Sequence, residues 1–181
     1  MRVISGSARG LKLVTPEGEK TRPTLDRVKE AVFSMLLPYM NGAKVLDLFA
    51  GSGALGIEAL SRGADKSFFV ENSNEAISCI YANIKAAKFE ISSVVKKIDA
   101  IEFLKNCNEK FDIIFLDPPY AGGLYETVLD LICDNDILTK DGVIVVEQDL
   151  GAEKLDNLGK RFEISKEKKY GRVGITVLKW R

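Results

Sequence analysis

The tetrapeptide Asp117-Pro118-Pro119-Tyr120 closes a strongly apolar run, FDIIFL, at residues 111–116. Two adjacent prolines fix the backbone and remove two N–H donors. Carbonyl oxygens at such a turn can face a cavity without competition from the chain itself. Asp117 adds a carboxylate acceptor, and Tyr120 adds a flat aromatic face. Together they suit a planar ring that bears an NH2 group. A rigid strand-exit turn is the plainer reading of the same four residues.

A second group lies upstream. In the stretch from Asp47 to Gly56 (DLFAGSGALG), Gly51, Gly53 and Gly56 match GxGxxG between an apolar strand and a helix. Glycines there let the backbone approach a nucleotide closely and let the helix pack tightly. Phe49, Ala50 and Ser52 complete the loop. A tight β–α turn that needs glycine only for its own geometry is the alternative. Glu71 ends the next apolar run, 20 residues after Gly51, and Asn72 follows it. A carboxylate in that place can accept from both ribose hydroxyls of an adenosine. That feature serves NAD and S-adenosylmethionine equally. Asp47 separates them, because a carboxylate beside the loop repels a pyrophosphate and attracts a sulfonium and an ammonium. The residues therefore favour S-adenosylmethionine, although Asp47 could also be a helix-entry carboxylate. Asp99-Ala100 follows the third strand. Asp99 is either an acceptor for the adenine amino group or an N-cap, and the sequence supports both.

Composition excludes several alternatives. The 181 residues contain no histidine, so a histidine base, a Ser-His-Asp triad and a histidine-ligated metal are all ruled out. Cys79, Cys107 and Cys133 show no CxxC spacing, which fits a reducing cytosol better than a disulfide framework or a zinc site. No apolar run reaches the ~18–20 residues needed to cross a bilayer. The first ten residues, MRVISGSARG, lack the apolar stretch of a signal peptide, so a cytoplasmic protein is expected. Charge balances at 26 basic and 26 acidic residues but is unevenly spread. Residues 1–30 carry a net +3, residues 160–181 a net +6, and the stretch between them −9. Such grouping is either ordinary solvated surface or two chain ends that face a polyanion.

These residues need elements to hold them. Apolar strands are expected at 44–49, 67–71, 93–98, 111–116 and 143–147, with helices at about 54–62, 74–88, 100–107 and 124–133. Strands apolar almost throughout and separated by helices predict a doubly wound, Rossmann-like α/β sheet covered on both faces. Two further strands, 161–169 and 172–180 around Tyr170-Gly171, predict an antiparallel C-terminal hairpin, after a less distinct helix near 151–158. Residues 2–15 read as two short strands around a Gly-rich turn. Pro23 and Thr24 open a helix that Pro38 should end. Two units follow: a hairpin-and-helix extension over 1–42, and the α/β domain over 43–181.

The glycine loop and the Asp-Pro-Pro-Tyr turn resemble those of S-adenosylmethionine-dependent methyltransferases that modify exocyclic or amide nitrogens. Nearly the whole chain is similar to the bacterial RsmD-like enzymes, which methylate N2 of a guanine in 16S ribosomal RNA, guanine 966 in the usual numbering. The segments RVISGSARGLKL, RPTLDRVKEAVFSML, LDLFAGSGALGIEALSRGA and FLDPPY carry that resemblance. Arg22, Pro23, Thr24, Asp26, Arg27 and Glu30 match the most specific of them. The resemblance implies S-adenosylmethionine as cofactor and a 16S RNA substrate carried within a small-subunit ribosomal particle. It implies a catalytic turn of Asp117, Pro118, Pro119 and Tyr120, with the Asp117 carboxylate and Pro118 carbonyl accepting from the amino group and Tyr120 stacking on the base. Arg2, Arg9, Lys12, Arg22, Thr24 and Arg27 are expected to face RNA, with Lys168, Lys169 and Arg172. No metal is needed, and a monomer is expected. Two other readings stay open: an adenine-N6 DNA or glutamine-N5 protein methyltransferase, and a nucleotide- or RNA-binding module without turnover.

Overall fold

Helices and strands alternate from the first strand onward, as the hydrophobic pattern requires. The computed structural model describes residues 1–17, 23–118, 124–150 and 161–181. Its elements are α1 (Pro23–Met40), β1 (Lys44–Asp47), α2 (Ala54–Ser61), β2 (Lys66–Glu71), α3 (Asn74–Ala87), β3 (Ser93–Lys97), α4 (Ala100–Asn106), β4 (Phe111–Leu116), α5 (Leu124–Asp134), β5 (Leu138–Asp149), β6 (Phe162–Tyr170) and β7 (Val173–Trp180). The strands form one seven-stranded sheet in the order β3-β2-β1-β4-β5-β7-β6. Strands β1 to β5 run parallel. β7 returns antiparallel beside β5, and β6 pairs with it as the outer hairpin strand. The order reverses between β1 and β4, so a crevice opens beyond the carboxyl ends of those two strands.

Side-chain alternation splits the core into two layers. Val45, Ile113, Phe115, Val143 and Val145 face one way and pack with Phe33 and Leu36 of α1, Ile57 of α2 and Ile80 and Ile84 of α3. Leu46, Ile114, Leu116, Ile144 and Val146 face the other way, against Phe103 and Leu104 of α4 and Val128, Leu129 and Ile132 of α5. Phe33 and Phe115 sit with ring centroids 5.6 Å apart and are essentially inaccessible to water.

The N-terminal residues join this core instead of lying apart. Val3 and Leu13 are buried in the same layer as α1. The expected N-terminal hairpin is reduced to one antiparallel bridge, Arg2 with Lys12. The chain on either side of the turn still pairs, Val3 N donating to the Leu11 carbonyl and Leu13 N to the Met1 carbonyl at 2.9 Å each, and the turn also bonds to α2. Ile4 N and Ser5 N donate to the Glu58 carboxylate at 2.8 and 3.0 Å, and Ala8 N donates to Ser61 Oγ at 2.9 Å. Ser61 Oγ donates in turn to the Ser5 carbonyl at 2.6 Å. A Cβ on Gly6, whose φ is +86°, would lie 1.7 Å from the Ser61 carbonyl oxygen, so only glycine fits.

Other boundaries differ from the expected ones for local reasons. α1 runs past Pro38 to Met40, because a proline in the last turn forfeits a single bond while Met40 is buried against the core. β1 stops at Asp47, where the chain already turns toward the glycine loop. β5 starts at Leu138, well before the apolar VIVV, and a register shift between Phe111 and Ile113 absorbs its polar opening. The helix expected near 151–158 lies outside the described residues.

Candidate active site

The carboxyl ends of β1, β2, β4 and β5 surround a cavity of about 670 Å³. That volume lies within the usual range for a small-molecule site. Asp47, Phe49, Ala50, Gly51 and Ser52 line it from the first strand and its loop. Glu71 and Asn72 line it from β2, Asp99 and Ala100 from the β3–α4 junction, and Asp117 from the end of β4. The expected cofactor residues and the expected catalytic carboxylate thus meet in one space. Gly53 and Gly56 are not among the lining residues; they shape the turn behind it. Gly53 takes a left-handed φ of 79° at the N-cap of α2. A Cβ on Gly56 would come within 2.3 Å of the Phe69 ring.

Asp47, Glu71 and Asp99 each have a structural bond as well as a place on the wall. Asp47 Oδ2 accepts from Gly56 N at 3.0 Å, which satisfies an orphan donor in the first turn of α2. Burial dominates its titration and pushes the carboxyl up to about 7, with the Gly56 bond opposing and the nearby Asp117 and Glu71 charges assisting. Glu71 Oε2 accepts from Gly51 N at 2.9 Å, and its Oε1 accepts from Asn72 N and Ser73 N at 2.8 and 2.9 Å. It therefore fixes the glycine loop to the β2–α3 turn. Asp99 Oδ1 accepts from Ile101 N and Glu102 N at 2.9 and 3.2 Å. It caps α4 and also lines the cavity, so the two readings of this residue are compatible.

Pro118 is buried behind Asp117, which is exposed. Pro119, Tyr120 and Arg22 lie outside the described residues, and the side chain of Thr24 is likewise not described. Of the basic residues, Arg9, Lys12, Arg27, Lys168, Lys169 and Arg172 are exposed. Arg2 is exposed as well and pairs with Asp26 at 2.9 Å. Met1, Val28 and Lys29 line the cavity, which puts Arg2 and Arg27 next in sequence to its wall. Lys168 stands in register with Ile175, which stands in register with Glu147 on the wall.

Several contributors escaped the sequence reading. Glu147 lines the cavity beside Asp117. Burial and the neighbouring Asp117 charge push its carboxyl up to about 8. Its signal was available, since it ends an apolar strand just as Glu71 does. Lys29 also lines the cavity, with its Nζ 3.0 Å from Glu58 Oε2 and a further bond to the Arg2 carbonyl. Burial lowers the Lys29 pKa, opposed by the Glu58 charge. Glu58 is fully buried and also binds Arg62 Nε at 2.7 Å. Asn83 donates to the Val14 and Ser52 carbonyls at 2.8 and 2.9 Å and accepts from Val14 N at 2.7 Å. These partners are far apart in sequence, and periodicity gives them no signature.

Among the described residues, the wall carries the carboxyl groups of Asp47, Glu71, Asp99, Asp117 and Glu147, against the Lys29 ammonium and the chain's amino end at Met1. Such a lining suits a ligand that brings positive charge and disfavours a pyrophosphate.

Comparison with known proteins places the chain among relatives. The family model described as conserved hypothetical protein 95 matches residues 1–179. The Bacillus subtilis (strain 168) protein YlbH is 42% identical over 184 residues, covering all of both chains. Ribosomal RNA small subunit methyltransferase D of Escherichia coli (strain K12) is 36% identical over 173 residues, 96% of this chain and 86% of that one. Among solved structures, the Escherichia coli protein yhhF has a TM-score of 0.91 at 32% identity, covering 100% of this chain and 98% of its own.

Proposed function

The chain belongs to the conserved hypothetical protein 95 family, and we propose that it is an S-adenosylmethionine-dependent methyltransferase of small-subunit ribosomal RNA, acting on the exocyclic N2 amine of a guanine in 16S RNA, guanine 966. The observation that carries this reading is the single cavity that joins the glycine-loop carboxylates to Asp117. The named relative in Escherichia coli points to the same class of substrate. The cofactor is S-adenosylmethionine, held by Asp47, the Phe49–Gly53 loop, Glu71 and Asp99, and it supplies an electrophilic methyl group.

The chain's own residues do the rest. The guanine amino group is a weak nucleophile because its lone pair is delocalised into the ring. No strong base is needed before attack, since the proton becomes acidic only as the N–C bond forms. Asp117 and the Pro118 carbonyl accept from the amino hydrogens, drawing nitrogen toward tetrahedral geometry and aiming it. As the amine takes up the methyl that the bound cofactor would supply, the surplus proton leaves by way of Asp117. Tyr120 stacks on the extruded base. Holding the base amine in the same cavity as the bound cofactor would supply much of the acceleration through orientation. Residues 1–42 form the RNA-facing extension of this reading and 43–181 its catalytic domain. The small-subunit particle is the proposed substrate form, since a chain this short takes much of its specificity from substrate shape.

Labelled S-adenosylmethionine offered side by side with 16S RNA, small-subunit particles, DNA and peptide-release factors tests the reading. Label in the small-subunit RNA as N2-methylguanosine is expected. Label only in DNA adenine or protein glutamine, or tight cofactor binding without transfer to any acceptor, overturns it.

A further inference from the structure

Asp117 and Glu147 occupy equivalent places on neighbouring parallel strands. Leu116 of β4 is in register with Val146 of β5, so these two carboxyl groups are the next pair in the same ladder. Adjacent strands lie about 4.8 Å apart. Leu116 and Val146 face the α4–α5 layer, and alternation therefore turns Asp117 and Glu147 to the opposite face, where α1 stands and the cavity opens. Two anions at that spacing in a half-buried wall disfavour each other, so the pair holds one proton more readily than none. Glu147 is half-buried while Asp117 is exposed, so that proton sits on Glu147, and burial and the Asp117 charge push its carboxyl up to about 8. The other groups around it leave this assignment in place. Asp47 approaches from β1, and Lys29 from α1 is already engaged by Glu58. Tyr125 of α5 donates its hydroxyl to the Glu147 carbonyl at 2.8 Å. Ile175 of β7 stands opposite in register, with Lys168 one strand beyond.

A singly protonated pair presents a donor, an acceptor and a second acceptor in a row. The pairing edge of guanine presents the complement: the O6 acceptor, the N1–H donor and the N2 amino donor. We propose that Glu147 is a specificity-determining residue that reads guanine as a neutral carboxylic acid, donating its O–H to O6 and accepting the ring N1–H, while Asp117 accepts from the N2 amine. This deepens the guanine-N2 reading of the same cavity and rests on it.

The test compares wild type, Glu147→Gln and Glu147→Ala on 16S RNA at saturating S-adenosylmethionine. A second RNA carries 2-aminopurine at the target, which keeps the 2-amino group but lacks O6 and N1–H. An amide imitates the neutral acid and cannot ionise. Glu147→Gln should therefore retain kcat/KM within a few-fold and show no alkaline fall. Wild type should lose about tenfold per pH unit above the Glu147 midpoint, which the cofactor's sulfonium shifts downward. Wild type and Glu147→Gln should prefer guanine over 2-aminopurine by about 10–100-fold. In Glu147→Ala that preference should shrink to a few-fold, whereas a merely structural role would slow both substrates alike. Glu147→Gln as slow as Glu147→Ala, or a pH profile shared by wild type and Glu147→Gln, overturns the proposal while leaving guanine methylation intact. Wild type that puts no methyl on guanine overturns the underlying reading as well.

Discussion

Asp117 is the residue on which the proposed chemistry turns. Its place at the exit of β4 lets it meet a base amino group without holding the cofactor. Removing one positioned polar partner from a water-excluded site costs about 10²–10³ in rate. Asp117→Ala should fall in or beyond that range in single-turnover transfer while cofactor affinity stays within a few-fold. Asp117→Asn should be milder, because an acceptor oxygen remains. Near-wild-type transfer by Asp117→Ala would leave the tetrapeptide as a structural turn. Glu71 carries a double load, since it holds Gly51 N and Ser73 N as well as facing the cavity. Glu71→Ala should weaken S-adenosylmethionine by about 1.5–3 kcal/mol or more in calorimetry, because a charged acceptor is lost and the loop is released. An unchanged affinity would remove Glu71 from the cofactor site. At this scale the sequence was most readable where a residue type is chemically scarce: glycines at fixed spacing, an acid ending an apolar strand. Glu147 carried that last mark too. What no spacing revealed is that it faces Asp117, because the pairing belongs to strand register.

Among the elements, α2 is the junction. Glu58, on its buried face, receives Ile4 N, Ser5 N, Lys29 and Arg62 together. Removing one partner of a buried ion pair costs about 3–5 kcal/mol, since the other charge stays buried. Lys29→Met should therefore lower the denaturation midpoint strongly. Exposed Arg2–Asp26 should matter little, at about 0–1 kcal/mol. Equal effects of Lys29→Met and Arg2→Ala in urea titrations would contradict this ordering. Gly6→Ala should also destabilise, because a methyl cannot share space with the Ser61 carbonyl. The strands and helices from β1 to α5 were legible because their apolar periods of two and 3.6 are strong. The N-terminal hairpin was legible too, since Arg2 and Lys12 pair antiparallel; the bonds from its turn to a helix some fifty residues away were not. Nor was the start of β5, where backbone pairing continues through a polar run that reads as a turn.

At the scale of the whole molecule, two fields coexist: an acid-lined cavity and basic chain ends. Asp47 and Glu147 have raised pKa values, about 7 and about 8. Groups raised in the folded state lend stability at low pH and lose it as pH climbs through those values. The ligand-free protein should therefore melt at progressively lower temperature from about pH 5 to about pH 8.5. Saturating S-adenosylmethionine should lessen that decline, because its positive charge favours the ionised Asp47 beside the glycine loop. A flat ligand-free profile would mean both carboxyls titrate normally. The basic ends predict salt-sensitive RNA binding, with a slope of about 0.7 per neutralised phosphate on a single strand. Removing Arg9, Lys12 and Arg22 together should flatten the slope and spare cofactor affinity; an unchanged slope would make them ordinary surface. Among the described residues no helix is long and apolar enough to cross a membrane. The reaction proposed for this cavity is methylation of N2 of one guanine in 16S RNA. Nucleoside mapping by mass spectrometry, on 16S RNA from a strain lacking the gene, tests it most directly. N2-methylguanosine at position 966 should vanish, return with the wild-type chain and stay absent with Asp117→Ala. Persistence of the mark in the deletion strain, or its full return with Asp117→Ala, would contradict the account.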